Sequence, residues 1–330
     1  MVKPIDIPSN IEPMEARSAT DLPVGPEWRY EPKWDGFRCI ARIEANSVEL
    51  YSKSGKRLDR YFPEVAASLA ATRAADCILD GELVVEVAGT LSFSALQARL
   101  HPAESRIRRL SAETPARYIL FDCLKNKVSL VDEAFAIRRT ALESLIAEWE
   151  RDDIRLSPQT SRIADARKWL SQSGGDTDGV VAKRLDLTYL PGERAMVKVK
   201  RRRTADCVVG GFRYASGDDI VGSLLLGLYD SAGRLNHVGY TSSLSVNDRR
   251  ALTPQLEALI EAPGFTGNAP GGPSRWSNDR SADWRPLKPE LVAEVLFDHV
   301  TGDRFRHGTK FLRWRPDKAP RQCRMDQLAS

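Results

Sequence analysis

A break in texture near residue 204 splits this chain into two stretches with different patterns. Before the break, strand-like and helix-like segments alternate. FRCIARI (37–43) and SVELYS (47–52) read as a hairpin with Asn46 in the turn. A helix is expected at 63–73. CILDGELVVEV (77–87) and RYILFDCL (117–124) are apolar, β-branched strand candidates. Between 132 and 150, Leu142, Leu145, Ile146 and Trp149 fall at helical spacing, so that segment should pack one face on a core. Strand patterns return at GVVAKR (179–184) and AMVKVK (195–200).

After Arg203 come three short strand candidates, ADCVVGGFRY, VGSLLLGLYD and RLNHVGYT, separated by Gly, Ser and Asp turns. A helix at about 246–262 follows, then the loose stretch APGFTGNAPGGPSRWSND, then the strand candidates LVAEVLFDHV and KFLRWR. Short strands plus one helix predict a small β-barrel of the OB type over 204–330. Residues 1–203 form the first domain. A chain of 330 residues is long enough for two cores.

Hydrophobic residues make up 42% and charged residues 28%, the balance of a soluble globular protein. No apolar run approaches the roughly 18 residues that a spanning helix needs. The N-terminus lacks a basic-then-apolar export signal, so a cytoplasmic protein is expected, with no membrane partner. Cys39, Cys77, Cys123, Cys207 and Cys323 are scattered and sit mostly in apolar runs, which reads as buried reduced thiols. Four histidines without an H-E-x-x-H pair argue against a zinc site. The net charge is only +4, but two basic runs stand out. One is Lys198, Lys200, Arg201, Arg202 and Arg203. The other spans 301–330, with Arg304, Arg306, Lys310, Arg313, Arg315, Lys318, Arg321 and Arg324 against three aspartates.

The segment Glu31-Pro32-Lys33-Trp34-Asp35-Gly36-Phe37-Arg38 stands just before a strand. Taken alone, a K-x-D-G tetrapeptide also fits a turn. A lysine amine attacks phosphorus only when neutral, yet its ordinary pKa of about 10.4 keeps it protonated at neutral pH. Nearby cations or a bound metal can activate it, and a leaving pyrophosphate needs positive partners. A nucleophilic lysine therefore predicts more cations and a metal-binding carboxylate elsewhere. Candidates are present. Asp80-Gly81-Glu82 interrupts an apolar strand pair with two carboxylates, although a surface turn would look similar. Asp178 and Lys183 bracket an apolar strand on opposite faces, so a shared pocket needs a bend or bulge near Gly179. Lys198 and Lys200 share a face, where an anion between them would relieve their repulsion. Phe121 is either a core aromatic or a platform for a purine.

In order along the chain, KWDG (33–36), SKSG (52–55), LDGE (79–82), YILFD (118–122), DGVVAK (178–183), KVK (198–200) and RPDK (315–318) resemble the motifs of the covalent nucleotidyltransferases. The match is to ATP-dependent DNA ligases, and EPKWDGFR and FLRWRPDK look closest to bacterial ligase C and the ligase part of ligase D. The resemblance implies an α+β nucleotidyltransferase domain, with ATP-grasp-like antiparallel sheets and helices, followed by an OB domain. It implies an ATP-dependent ligase that seals nicks in duplex DNA, a nucleoid-associated monomer with DNA-repair proteins among its partners. Lys33 would form the lysine–AMP phosphoramidate. Glu31 would lie by the adenine, Arg38 and Glu82 by the ribose, and Phe121 would stack on the base. Asp178, with Glu82, would hold Mg²⁺ or Mn²⁺. Lys198 and Lys200 would grip the α-phosphate, and Lys183 would be a further nucleotide contact. Lys53 would meet DNA phosphate. Arg315, Asp317 and Lys318 would close over ATP and orient the pyrophosphate.

Two positions depart from the family pattern. Asp178 stands where glutamate is usual, a side chain one methylene shorter, which bears on metal preference. Lys53 stands where arginine is frequent, trading a bidentate fork for a point charge. The short stretch before Lys33 leads to the expectation of no helical DNA-binding domain and no NAD-specific module, hence ATP. Duplex binding should be largely sequence-independent and salt-sensitive. Two other readings stay open: the same chemistry on RNA, or a non-catalytic OB protein that binds DNA ends.

Overall fold

A computed structural model describes residues 11–44, 47–74, 76–149, 151–173, 176–271 and 283–328. The chain divides into two compact units, Met1–Arg201 and Arg202–Ser330. No helix among the described residues is long and apolar enough to cross a membrane.

The first unit holds two sheets. The larger runs Ser47–Ser52, Phe37–Glu44, Cys77–Val87, Ala116–Asn126, with Val128–Ser129 beyond and Ile154–Leu156 parallel to Ala116–Asn126. The expected hairpin forms, with Ile43 opposite Val48 and Glu44 opposite Ser47. Asn46 lies outside the described residues. Alternation along these strands divides their side chains between two faces. Cys39, Ala41, Leu79, Tyr118 and Leu120 pack under helices Pro63–Ala71 and Phe135–Ala147. Ile40 and Ile78 turn the other way, toward Met14 and toward Met196 of the second sheet. That sheet has the order Ala16–Ser18, Met196–Val199, Thr177–Arg184, Trp28–Trp34.

Two bulges decide what the inter-sheet face presents. Asp80 pairs with Asp122 and Gly81 with Leu120, which leaves Phe121 as the extra residue of its strand. Thr177 pairs with Trp34 and Val180 with Pro32, so Asp178 and Gly179 together face the single residue Lys33. The irregularity required near Gly179 is therefore present. Gly179 has φ +143, and a Cβ there would lie 2.2 Å from the Val199 carbonyl oxygen. Only glycine allows this turn and this approach together.

The LDGE segment differs from its expected role as an interruption. It lies inside one continuous 11-residue strand, with Asp80 fully buried. Gly81 makes that possible, because a Cβ would meet the Ile119 carbonyl and the Tyr118 ring at 2.6 Å. The strand over AMVKVK stops at Val199, leaving Lys200 just beyond its end.

In the second unit the antiparallel order is Leu235–Thr241, Val221–Tyr229, Arg203–Tyr214, Val292–Phe297, Lys310–Trp314. The path is open and not a fully laddered barrel. Among the described residues its outer strands join through an isolated bridge, Thr241 with Thr309, where the Thr241 hydroxyl donates to the Thr309 carbonyl at 2.9 Å. Helix Val246–Glu257 is capped by Ser245, whose hydroxyl accepts from the Asp248 amide. It ends five residues short of the expected 262. Strand alternation puts Val208, Phe212, Leu224, Leu226 and Val295 in one core. All five cysteines are free and buried.

One buried ion pair ties helix Phe135–Ala147 to the larger sheet. Arg138 donates to both oxygens of Asp122, at 2.8 and 3.0 Å, and to the Glu133 and Leu187 carbonyls. Neither residue reaches solvent appreciably. Arg138→Met should therefore strand a buried carboxylate and cost about 3–5 kcal/mol in urea unfolding. A loss below about 1 kcal/mol would show the pair to be dispensable.

Candidate active site

A cavity of about 240 Å³ in the first unit is lined by Glu31, Lys33, Trp34, Arg38, Lys53, Glu82, Phe121, Lys183 and Lys198, with Met14 and Glu15. Both sheets contribute, because the cavity lies on the face that the two bulges serve.

Lys33 is the second-last residue of its strand, and the neighbouring Trp34 indole donates to the Ser157 hydroxyl at 3.0 Å. The Lys33 Nζ lies 2.7 Å from Asp178 Oδ2, and the Lys200 Nζ lies 2.9 Å from the same oxygen. Burial alone would raise the Asp178 carboxyl. Lys33 and then Lys200 outweigh it and hold the group below its usual range. The other oxygen, Oδ1, is buried without a hydrogen-bond partner.

Lys198 adds a further cation. Its ammonium is pushed down by burial, and then by Lys33 and Lys200. Three lysines against the carboxylates of Asp178 and Glu82 leave net positive charge around Lys33, a setting that favours an incoming phosphate.

Glu82 shares its strand face with Asp80. Burial pushes its carboxyl up to about 7, although Arg38 and Lys33 pull the other way and Gly36 donates its amide. Gly36 lies so close that a Cβ there would meet the Leu83 carbonyl at 2.2 Å. The glycine of KWDG thus lets that segment press against LDGE. Arg38 stands opposite Glu82 in the ladder, but its guanidinium grips Asp80 with two bonds of 2.5 Å and reaches the Met14 carbonyl at 3.2 Å. Tyr189 donates to Asp80 at 2.7 Å and accepts from the Met14 amide at 2.9 Å.

At the other end, Lys183 donates to both Glu31 oxygens, at 3.0 and 3.1 Å, and to the Phe121 carbonyl at 3.1 Å. Arg139 approaches Glu31 at 3.6 Å. Burial dominates both partners, pushing Glu31 up and Lys183 down. The Phe121 ring has the Arg38 guanidinium and the Lys183 ammonium each 4.6 Å from its centroid. Of the two roles open to Phe121, the bulge favours lining the cavity.

Lys53 lies at the cavity but is 60% exposed, and it pairs with Glu15 at 2.7 Å. Arg315, Asp317 and Lys318 belong to the second unit. Arg315 bonds Asp206 at 2.8 Å and Asp317 at 2.9 Å, and Lys318 bonds Asp206 at 2.6 Å. The geometry thus gathers Glu31, Lys33, Arg38, Glu82, Phe121, Lys183 and Lys198 in one cavity, with Asp178 attached through Lys33 and Lys200 through Asp178. Sequence reasoning passed over Glu15, Trp34, Tyr189 and Asp206, and it noted Asp80 as a candidate carboxylate without giving it a role. Asp206 left a trace, a lone acid inside an apolar strand. Tyr189 and Glu15 left none.

The family description "ATP dependent DNA ligase domain" matches residues 13–200, and "ATP dependent DNA ligase C terminal region" matches 217–318. The chain belongs to the ATP-dependent DNA ligases. It is 42% identical to DNA ligase C2 of Mycolicibacterium smegmatis, over 97% of this chain and 94% of that protein. It is 40% identical to DNA ligase C of Mycobacterium tuberculosis, over 96% and 93%. Among solved structures, the ligase domain of M. tuberculosis LigD has 29% identity and a TM-score of 0.52, covering 96% of this chain and 98% of that one. A mycobacterial DNA ligase D complexed with ATP and MES matches with 28% identity and the same score, over 96% and 98%. The ligase therefore joins DNA at the expense of ATP, on a nucleotidyltransferase-type fold followed by a C-terminal domain.

The Glu82 carboxyl gives the ligase a pH signature. Its folded pKa lies above its ordinary value of 4.5, so ionising it costs stability as pH rises from 4.5 toward 7. Partial exposure of the Glu82 side chain softens the penalty. Glu82→Gln should stabilise the ligand-free protein by about 1–2 kcal/mol at pH 8 and leave it unchanged at pH 4. Equal effects at both pH values in denaturant titrations would contradict the assignment.

Proposed function

We propose that Lys33 carries AMP, and that the ligase uses it to seal nicks with a 5′-phosphate and a 3′-hydroxyl in duplex DNA. The observation that carries this reading is the contact of Lys33 with Asp178 beside Lys200, Lys198 and Glu82. In the first step the Lys33 nitrogen bonds the α-phosphorus of ATP and pyrophosphate leaves. The amine must give up a proton to attack, and Asp178 Oδ2 at 2.7 Å is an acceptor within reach. Lys198 and Lys200 balance charge on the α-phosphate, and Arg315 and Lys318 serve the leaving pyrophosphate. Glu31 and Lys183 border the base, Phe121 offers it a face, and Arg38 with Glu82 takes the ribose. In the second step the nick 5′-phosphate takes AMP from Lys33, with Lys53 as a phosphate contact. In the third the 3′-hydroxyl attacks that phosphate and AMP departs.

A divalent cation fits this donor set. Asp178 Oδ1 is buried without a hydrogen-bond partner, and Glu82 adds a second carboxylate beside Lys33. No cluster of three or more His, Cys, Asp or Glu suited to a metal occurs among the described residues. A site of one or two carboxylates completed by substrate phosphates is the arrangement Mg²⁺ favours, and Mn²⁺ can share it. When bound there the ion would supply charge neutralisation at the α-phosphate. The likeness to ligase C proteins and to LigD, named for non-homologous end joining repair, favours a repair role for a cytoplasmic, nucleoid-associated monomer working with repair proteins.

Sealing assays test the reading. With ATP and Mg²⁺, Lys33→Ala should lose nick joining by about three orders of magnitude or more. It should still close a nick that already carries AMP, because that step does not use the amine. An all-DNA nick should be sealed faster than its RNA counterpart. Joining by Lys33→Ala at the wild-type rate, or a preference for RNA, would overturn the proposal.

A further inference from the structure

Asp206 sits in strand Arg203–Tyr214, between buried Ala205 and Cys207, and is itself 8% exposed. A carboxylate in such a place needs partners, and it finds them in residues more than a hundred positions away. Arg315 Nη1 donates to its Oδ1 at 2.8 Å, and Lys318 Nζ donates to its Oδ2 at 2.6 Å. Its own backbone is clamped by Gln327, which accepts from the Asp206 amide at 2.9 Å and donates to the carbonyl at 3.1 Å. Asp206 is thus fixed from both sides.

Arg315 also turns Nε and Nη2 toward Asp317, at 3.0 and 2.9 Å. The two acids differ in freedom. The Asp317 side chain is 63% exposed and the Asp206 side chain 11%. Asp317 can swing into water, while Asp206 is held in place. Lys318 has three protons, and one of them goes to Asp206.

We propose that Asp206 is a positioning residue for ATP use: it fixes Arg315 and Lys318 so that both present their remaining donors to the pyrophosphate end of ATP. The inference rests on the reading above that these two cations serve the leaving pyrophosphate. Long cationic side chains lose entropy when they grip an anion, and a buried counter-ion meets that cost beforehand. Pyrophosphate leaves in the adenylylation step alone. Closure of a nick that already carries AMP involves none, so the two reactions separate a positioning role from a purely structural one.

The experiment compares wild type, Asp206→Asn and Asp206→Glu. One assay follows transfer of label from α-labelled ATP to the protein, with KM for ATP. A second follows closure of a nick already bearing AMP, without ATP. Asp206→Asn should slow adenylylation about tenfold or more and raise KM for ATP. Closure of the adenylated nick should stay within about twofold of wild type, and Asp206→Glu should recover part of the first reaction. Equal losses in both assays, an Asn variant that does not fold, or no loss in either would overturn the proposal. Arg315→Ala and Lys318→Ala tell the two levels apart. If they leave adenylylation intact, the reading of those cations fails. If they slow it and Asp206→Asn does not, the inference about Asp206 alone fails.

Discussion

One carboxylate oxygen joins two ammonium groups at the centre of this ligase. Asp178 Oδ2 touches both Lys33 and Lys200, which come from different strands of the smaller sheet or its edge. Without the bulge at Asp178–Gly179 a regular strand would send Asp178 and Lys183 to opposite faces. With it, one strand supplies the acid that holds Lys33 and the base that holds Glu31. Backbone geometry, set by a glycine that tolerates φ +143 and close contact with Val199, thereby decides where the charges lie.

The rest of the site follows from balancing those charges. Buried acids and bases are kept in pairs: Asp80 with Arg38, Asp122 with Arg138, Glu31 with Lys183. Lys198 departs from this pattern, pushed down by burial and then by the Lys33 and Lys200 cations. Glu82 is its counterpart, an acid pushed up by burial. These two strained charges border Lys33, where a phosphate and a divalent cation would relieve both. The fully paired groups farther off give the cavity its walls.

Much of this was legible in the sequence. Period-two apolar runs located nearly every long strand, and the order of short motifs pointed to the cavity residues. The demand for a bulge near Gly179 followed from parity alone. What escaped detection came from contacts between distant segments. No local pattern announces that Asp80 will bind Arg38 and Tyr189, or that Asp206 will wait for Arg315 and Lys318. LDGE looked like an interruption because acids are rare inside apolar strands, yet buried partners make it continuous. Whether the small barrel closes was not legible, for a related reason. Strand patterns show alternation but not whether the outer strands ladder, and here they join through an isolated bridge at Thr241 and Thr309.

The account stands on the identity of the nucleophile, and peptide mapping reads that directly. The ligase would be incubated with ATP and Mg²⁺, digested under mild alkaline conditions, and the AMP-bearing peptide sequenced by mass spectrometry. The account predicts AMP on Lys33 and its disappearance when nicked duplex is added before digestion. AMP on Lys198, Lys200 or any other side chain would contradict it.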